Sequence, residues 1–116
     1  MFNKKTEAGY RTARPGVNFR TLAFGKHTHL TEFHLAKGSV IPKHDHPHEQ
    51  TGYLVSGRMT FIIDGETFDA RPGDGWNIPG GVSHSVDVLE DCLVIEVFSP
   101  VRKDYLPENG WPPAPA

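Results

Sequence analysis

The rhythm of turn signals constrains this chain most. Short runs of β-type residues are broken by Gly, Pro and Asp-Gly punctuation every eight to twelve residues, the spacing of a β-sandwich or barrel. No window sustains a 3.6-residue apolar period over helical length. The runs are Val17–Phe24, His27–Leu35, Thr51–Val55, Arg58–Ile63, Glu66–Ala70, Gly75–Ile78, His84–Leu89 and Cys92–Phe98. Asp64-Gly65 predicts a two-residue hairpin, because both turn positions of that type need positive φ. Ser56-Gly57 and the acidic pair Glu90-Asp91 are read as two further turns. A short helical turn is expected near Asp104-Tyr105-Leu106. The end of the chain, 107–116, is too rich in proline for a helix or a central strand, and Trp111 is the residue that would pin it.

Composition bounds what such a β-protein can do. At 116 residues the chain predicts a single domain over 1–116, with a barrel core from about residue 15 to about residue 102. The net charge of −2 is spread without a basic cluster, which excludes nucleic acid and an anionic membrane as expected partners. Cys92 is the only cysteine, so no internal disulfide is possible. The first ten residues lack an apolar signal-peptide core, and no apolar stretch nears the roughly 20 residues of a membrane helix. A cytoplasmic protein is the expectation.

Two segments carry the chemistry. The first holds His44, His46 and Gln50 within Gly38–Gly57, and the second holds His84 within Gly73–His84. Neutral imidazoles from separate segments suit one first-row divalent transition metal, with Ni, Zn, Mn and Fe all compatible. His48 and Glu49 lie between the ligands. Strand alternation puts Gln50, Gly52 and Leu54 on one face and turns Glu49 outward. His27, His29 and His34 are read as strand-surface residues. Three imidazoles and an amide leave the full +2 on the metal, where a glutamate ligand would reduce it to +1. Such a site attracts anions and polarises oxygen ligands strongly, which favours a substrate carrying a carboxylate.

The last strand run adds a second clue. Glu96 interrupts the apolar stretch Cys92–Phe98, and alternation places it on one face with Val94 and Phe98. A carboxylate facing a barrel interior needs a partner or a task. Arg102 follows the strand, and its guanidinium fork matches a carboxylate.

The pattern Gly-x5-His-x-His-x3-Gln-x6-Gly, followed by Gly-x5-Pro-x-Gly-x2-His, resembles the two signature motifs of the cupin superfamily. The resemblance implies a single-domain jelly-roll β-barrel of two antiparallel sheets, with the metal on His44, His46, Gln50 and His84. Two positions depart from the usual motif: Gln50 stands where many cupins have Glu, and Val88 where many have Asn. The stretches His44–Arg58 and Leu89–Leu106 are similar, more narrowly, to the pectin-degradation cupins of the KdgF type. That family ketonises 4,5-unsaturated monouronates, released by pectate or alginate lyases, to the linear 4-deoxy-5-keto-uronate. The resemblance implies a catalytic role for Glu96, an aromatic wall at Phe98 and a substrate-contacting Arg102. It also implies a homodimer and a small anionic sugar-acid substrate. Where this chain has Glu96 the family usually has Asp, so the carboxylate reaches one methylene further. Two other readings stay open at this level: another metal-dependent cupin enzyme, such as an oxygen-dependent dioxygenase or a sugar isomerase, and a non-catalytic sugar-binding or sensor cupin.

Overall fold

A computed structural model describes residues 1–107. Eight antiparallel strands build it: β1 (Arg11–Arg14), β2 (Val17–Phe24), β3 (His29–Leu35), β4 (Val40–His44), β5 (Glu49–Ile63), β6 (Glu66–Ala70), β7 (Gly75–Ile78) and β8 (His84–Ser99). The hydrogen-bonded order is β1-β2-β3-β8-β5-β6, with β4 also on β8 and β7 also on β5. β5 and β8 are long enough to serve two sheets. Their halves Glu49–Leu54 and Cys92–Ser99 join β3 and β7, while Arg58–Ile63 and His84–Glu90 join β4 and β6. The result is the all-β jelly-roll that the family resemblance implies, within the sandwich-or-barrel class that the turn rhythm indicates.

The bend between the two sheets replaces two expected turns. Ser56-Gly57 and Glu90-Asp91 do not reverse the chain; they lie inside continuous strands, where the β5–β8 register slips. Bulges of this kind let one strand pass from sheet to sheet. Gly57 has φ +94°, and a Cβ there would collide with the Asp91 carbonyl, so the bulge requires glycine. Across it the buried positions of β5 switch from even (Gln50, Gly52, Leu54) to odd (Met59, Phe61). Asp64 and Gly65 do form a tight hairpin, with φ values of 49° and 81°. The expected turn near residue 105 is a short 3₁₀ turn over Lys103–Tyr105. β1 and β4 were not expected: they are exposed or half-buried, so they carry no apolar alternation. The proposed anchor Trp111 lies outside the described residues.

The core fills the space between the sheets with Val17, Phe19, Phe33, Leu54, Met59, Phe61, Ile78, Val86, Val94 and Phe98, among others. Each large side chain buried this completely contributes about 1.5–3 kcal/mol. Among the described residues no helix is long and apolar enough to cross a membrane.

Candidate metal centre and the carboxylate beside it

The inner face of one sheet carries polar side chains on two adjacent rungs. On the first, His29 pairs with Phe98, Phe98 with Gln50, and Gln50 with Ile78. On the next, Thr31 pairs with Glu96, Glu96 with Gly52, and Gly52 with Trp76. Strand alternation therefore sets Gln50, Glu96 and Phe98 on the interior, all buried. The histidines come from the strand ends above them: His44 closes β4, His46 follows it, and His84 opens β8.

His44, His46 and His84 converge, with one ring nitrogen from each lying within 4.8 Å of the others. Each Nδ1 faces a backbone carbonyl: that of Pro42 at 2.9 Å for His44, that of His48 at 2.9 Å for His46, and that of Val82 at 3.0 Å for His84. A neutral ring in that position donates from Nδ1 and turns its Nε2 lone pair inward, which is how a carbonyl bonded to the far nitrogen prepares imidazole for a metal. Burial holds His46 below the ordinary histidine range and His84 down at about 4, with Arg102 and the other rings adding to the shift. The Nε2 of His84 is buried without a hydrogen-bond partner. His46 Nε2 lies 3.0 Å from Gln50 Oε1. With Nδ1 donating, that contact sets lone pair against lone pair; only a shared cation or a turned amide satisfies it. Three imidazole nitrogens and an amide oxygen form a donor set that fits a divalent transition metal. Glu49 points outward and accepts from Asn77.

Glu96 is 5% exposed and belongs to the same interior. Trp76 Nε1 donates to its Oε1 at 3.1 Å, while Oε2 is buried without a partner. Burial pushes this carboxyl up to about 8, against support from the nearby Gln50 amide and the Trp76 indole. Gln50 makes no well-aligned bond to Oε2, so we regard Oε2 as unsatisfied. A Cβ on Gly52 would land on the Trp76 indole and 2.5 Å from Glu96 Oε2. Glycine at this position makes room for the indole–carboxylate contact. Both Trp76 and Gly52 sit inside the motif segments, but only cross-strand register shows what they do.

Arg102 closes the mouth. Its guanidinium lies 3.8 Å from the Tyr105 ring centre and 5.2 Å from that of Phe98, and it makes a two-point ion pair with Asp104. The hollow beneath, lined by His44, Gln50, His84, Glu96, Phe98 and Arg102, holds only about 60 Å³. A much larger hollow of about 690 Å³ lies on the other side of Trp76, between β6 and β7, lined by Phe68, Asp64, Glu66, Asp69 and Asp74. It contains no metal-ligand cluster, and its acidic wall repels anions, so the smaller hollow is the candidate site.

One sequence expectation fails here. His29 is not a strand-surface residue; it is fully buried. Its ring sits on the inner face opposite Phe98, because β3 begins with it and alternates inward from there. His27 and His34 are exposed as expected.

A cupin-domain family profile matches residues 31–98, and the chain belongs to the cupin family. It is 29% identical over 93 residues to the pectin degradation protein KdgF of Dickeya dadantii, covering 78% of this chain and 84% of that protein. The solved structure of KdgF from a Halomonas species superimposes with a TM-score of 0.82 at 32% identity, covering 86% of this chain and 93% of that one. An RmlC-like cupin from Shewanella frigidimarina matches with a TM-score of 0.85 at 25% identity, covering 90% and 95%.

Proposed function

We propose that this protein is a metal-dependent cupin of pectin or alginate breakdown that converts 4,5-unsaturated monouronates to the linear 4-deoxy-5-keto-uronate. The observation that carries the reading is Glu96: a carboxyl buried beside three convergent imidazoles, held by an indole and raised to about 8. Burial raises this carboxyl and a cation held by the neighbouring imidazoles would oppose the rise, the balance a group needs to give and take a proton. The similarity to KdgF proteins, one of them a pectin degradation protein, supports a substrate from that breakdown.

His44, His46, His84 and Gln50 would hold the metal. When bound, a divalent ion polarises sugar oxygens and favours an anionic ligand. Arg102 meets the C6 carboxylate of the substrate, and to do so its fork leaves Asp104, an exchange of one carboxylate for another. The closed hollow of about 60 Å³ is smaller than a sugar ring needs, so entry displaces side chains at that mouth. Phe98 gives the ring a flat wall.

The reaction needs no oxidant. As the C1–O5 bond breaks, the C1 hydroxyl loses its proton and becomes the aldehyde oxygen. The electron pair of the broken bond stays on O5, giving an enolate across C5 and C4. C4 then accepts a proton, and C5 becomes the ketone. Glu96 moves that proton, with Trp76 fixing the carboxylate through Oε1. Loss of the conjugated double bond is read directly by ultraviolet absorbance. Wild-type protein loaded with metal should consume the unsaturated monouronate, and Glu96→Gln should slow it by about 10²–10⁴-fold. Equal rates would remove Glu96 from the chemistry, and no turnover by the wild type over a panel of metals would refute the reaction.

A further inference from the structure

Three features of the fold lie outside the reaction just described: the acidic hollow beyond Trp76, the outward cluster of Tyr10, Arg20 and Glu32, and the buried histidine on β3. The histidine carries the most. His29 has both ring nitrogens engaged, and neither contact involves the metal cluster. The backbone N–H of Arg102 donates to its Nδ1 at 3.3 Å. Nδ1 is therefore the acceptor, and in the neutral ring the proton sits on Nε2. That nitrogen lies 2.9 Å from Thr21 Oγ1 and donates to it. The Thr21 hydroxyl in turn donates to the Tyr105 carbonyl at 3.0 Å. Direction is fixed at every link: Arg102 N–H to His29, His29 to Thr21, Thr21 to Tyr105.

Both ends of this chain of bonds fall on the same short segment. Arg102 and Tyr105 bracket the 3₁₀ turn over Lys103–Tyr105. Tyr105 packs its ring against Phe19, Phe33 and Phe98, but no residue of the turn is fully buried, and at the Arg102 end the backbone is held by the bond to His29. Thr21 sits on β2 just before the register slip at Leu22, facing inward with the ring of His29. Two neighbouring strands thus grip one turn at both of its ends. The side chain of Arg102 rises from that grip over Phe98, at the mouth of the site. Burial keeps the imidazole neutral, well below the ordinary histidine range. A charged ring would put an N–H against the Arg102 N–H and break the first link.

We infer that His29, acting through Thr21, is a positioning residue for Arg102: a buried neutral imidazole that holds the 102–105 turn at both ends and so aims the guanidinium at a substrate carboxylate. This rests on the proposed reading in one respect, the assignment of Arg102 to the carboxylate. The clasp holds the backbone, while the fork itself stays free to trade Asp104 for the incoming anion. Thr21 Oγ1 is a relay in the same clasp, so its loss should give a smaller effect of the same kind.

The test is a double-mutant cycle in metal-loaded protein. His29→Leu removes both bonds, and His29→Asn restores the acceptor for Arg102 N–H while leaving Thr21 unserved. In wild-type background His29→Leu should raise KM for the unsaturated uronate by about tenfold, the scale of one charge-assisted hydrogen bond, with a smaller change in kcat. His29→Asn in place of His29→Leu should recover part of that loss, and Thr21→Val should give a smaller loss of its own. In an Arg102→Ala background the same His29 changes should have almost no further effect on KM, since residues that act through one another are not additive. A purely structural histidine would give equal losses in both backgrounds, and that result overturns the inference. Should wild-type protein fail to turn over any unsaturated uronate, the same cycle is read by calorimetry with saturated galacturonate. Coupled losses of affinity would then uphold the clasp while the reaction falls. If Arg102→Ala changes neither KM nor galacturonate affinity, His29 has nothing to aim and the inference is wrong. If His29→Leu does not fold, the cycle is completed with His29→Asn and Thr21→Val, whose combined effect should likewise vanish without Arg102.

Discussion

Trp76 separates two hollows that differ in opposite senses. One holds about 690 Å³ between β6 and β7, with an apolar floor and Asp64, Glu66, Asp69 and Asp74 along its walls. The other holds about 60 Å³ inside the barrel, with three histidines, a buried carboxylate and an arginine. Size favours the first and chemistry the second. The acids of the large hollow are ordinary surface groups: Asp69 pairs with Arg58 and Arg71, and Asp74 accepts from the Arg71 backbone. In the small one, two buried polar atoms, His84 Nε2 and Glu96 Oε2, lack partners. Unsatisfied groups of that kind are costly, so they persist where a ligand, ion or reaction makes use of them. The contrast teaches that in this fold the candidate chemistry gathers with buried polarity, not with volume.

The sharpest way to break that contrast is to remove a candidate metal ligand from the small hollow. His84→Ala should abolish stoichiometric metal binding and lower turnover by at least about a hundredfold. Elemental analysis and the ultraviolet assay check both. Next in size, Gly52→Ala attacks the wall between the hollows. Its new methyl group would meet the Trp76 indole and the Glu96 carboxylate, so a loss of about 1–3 kcal/mol in stability is expected, together with slower turnover. Denaturant melts and the same assay report them; an unchanged Gly52→Ala protein would show that Trp76 is not held against Glu96.

A pH-dependent effect separates the buried carboxylate from its surroundings. Glu96 binds its proton more tightly in the folded protein, with a pKa of about 8 against 4.5 when free. Its contribution to stability is complete below pH 4.5 and lost as pH climbs to about 8. In metal-free protein the melting temperature of Glu96→Gln relative to wild type should therefore rise across that window. A flat difference curve would mean that the carboxyl is not desolvated. Smallest of all, Asp64→Asn with Glu66→Gln in the large hollow should change turnover less than about twofold, in keeping with ordinary surface substitutions. A large loss there would move the functional centre across Trp76.

Much of the site was legible in the chain. His44, His46, Gln50 and His84 were marked by spacing. Period-2 alternation placed Glu96 with Val94 and Phe98, on the interior. β2 and β7 fall within the bounds their residue runs suggested, because a strand with inward-facing positions writes its own alternation; β6 is exposed up to Ala70 and is bounded instead by the turns at Asp64-Gly65 and Pro72-Gly73. β1 and β4 left no such trace, since neither presents a clean apolar face. Ser56-Gly57 and Glu90-Asp91 carry turn residues, yet they mark bulges. A local signal says only that the backbone departs from regular extension, and not whether it reverses. His29 misled for a related reason: histidine is usually exposed, and nothing nearby in sequence supplies the Thr21 and Arg102 partners that make its burial affordable.

The sequence alone determined a β-framework, a candidate set of metal donors and the presence of one out-of-place carboxyl, because alternation and motif spacing can be read directly along the chain. Only the tertiary structure decided that an indole from β7 would hold that carboxyl, that a missing side chain at Gly52 would make room for it, and that a buried imidazole would grip the turn bearing Arg102. Those contacts join residues 20 to 84 positions apart, and such pairings come from strand register and sheet curvature, which no local stretch of residues encodes.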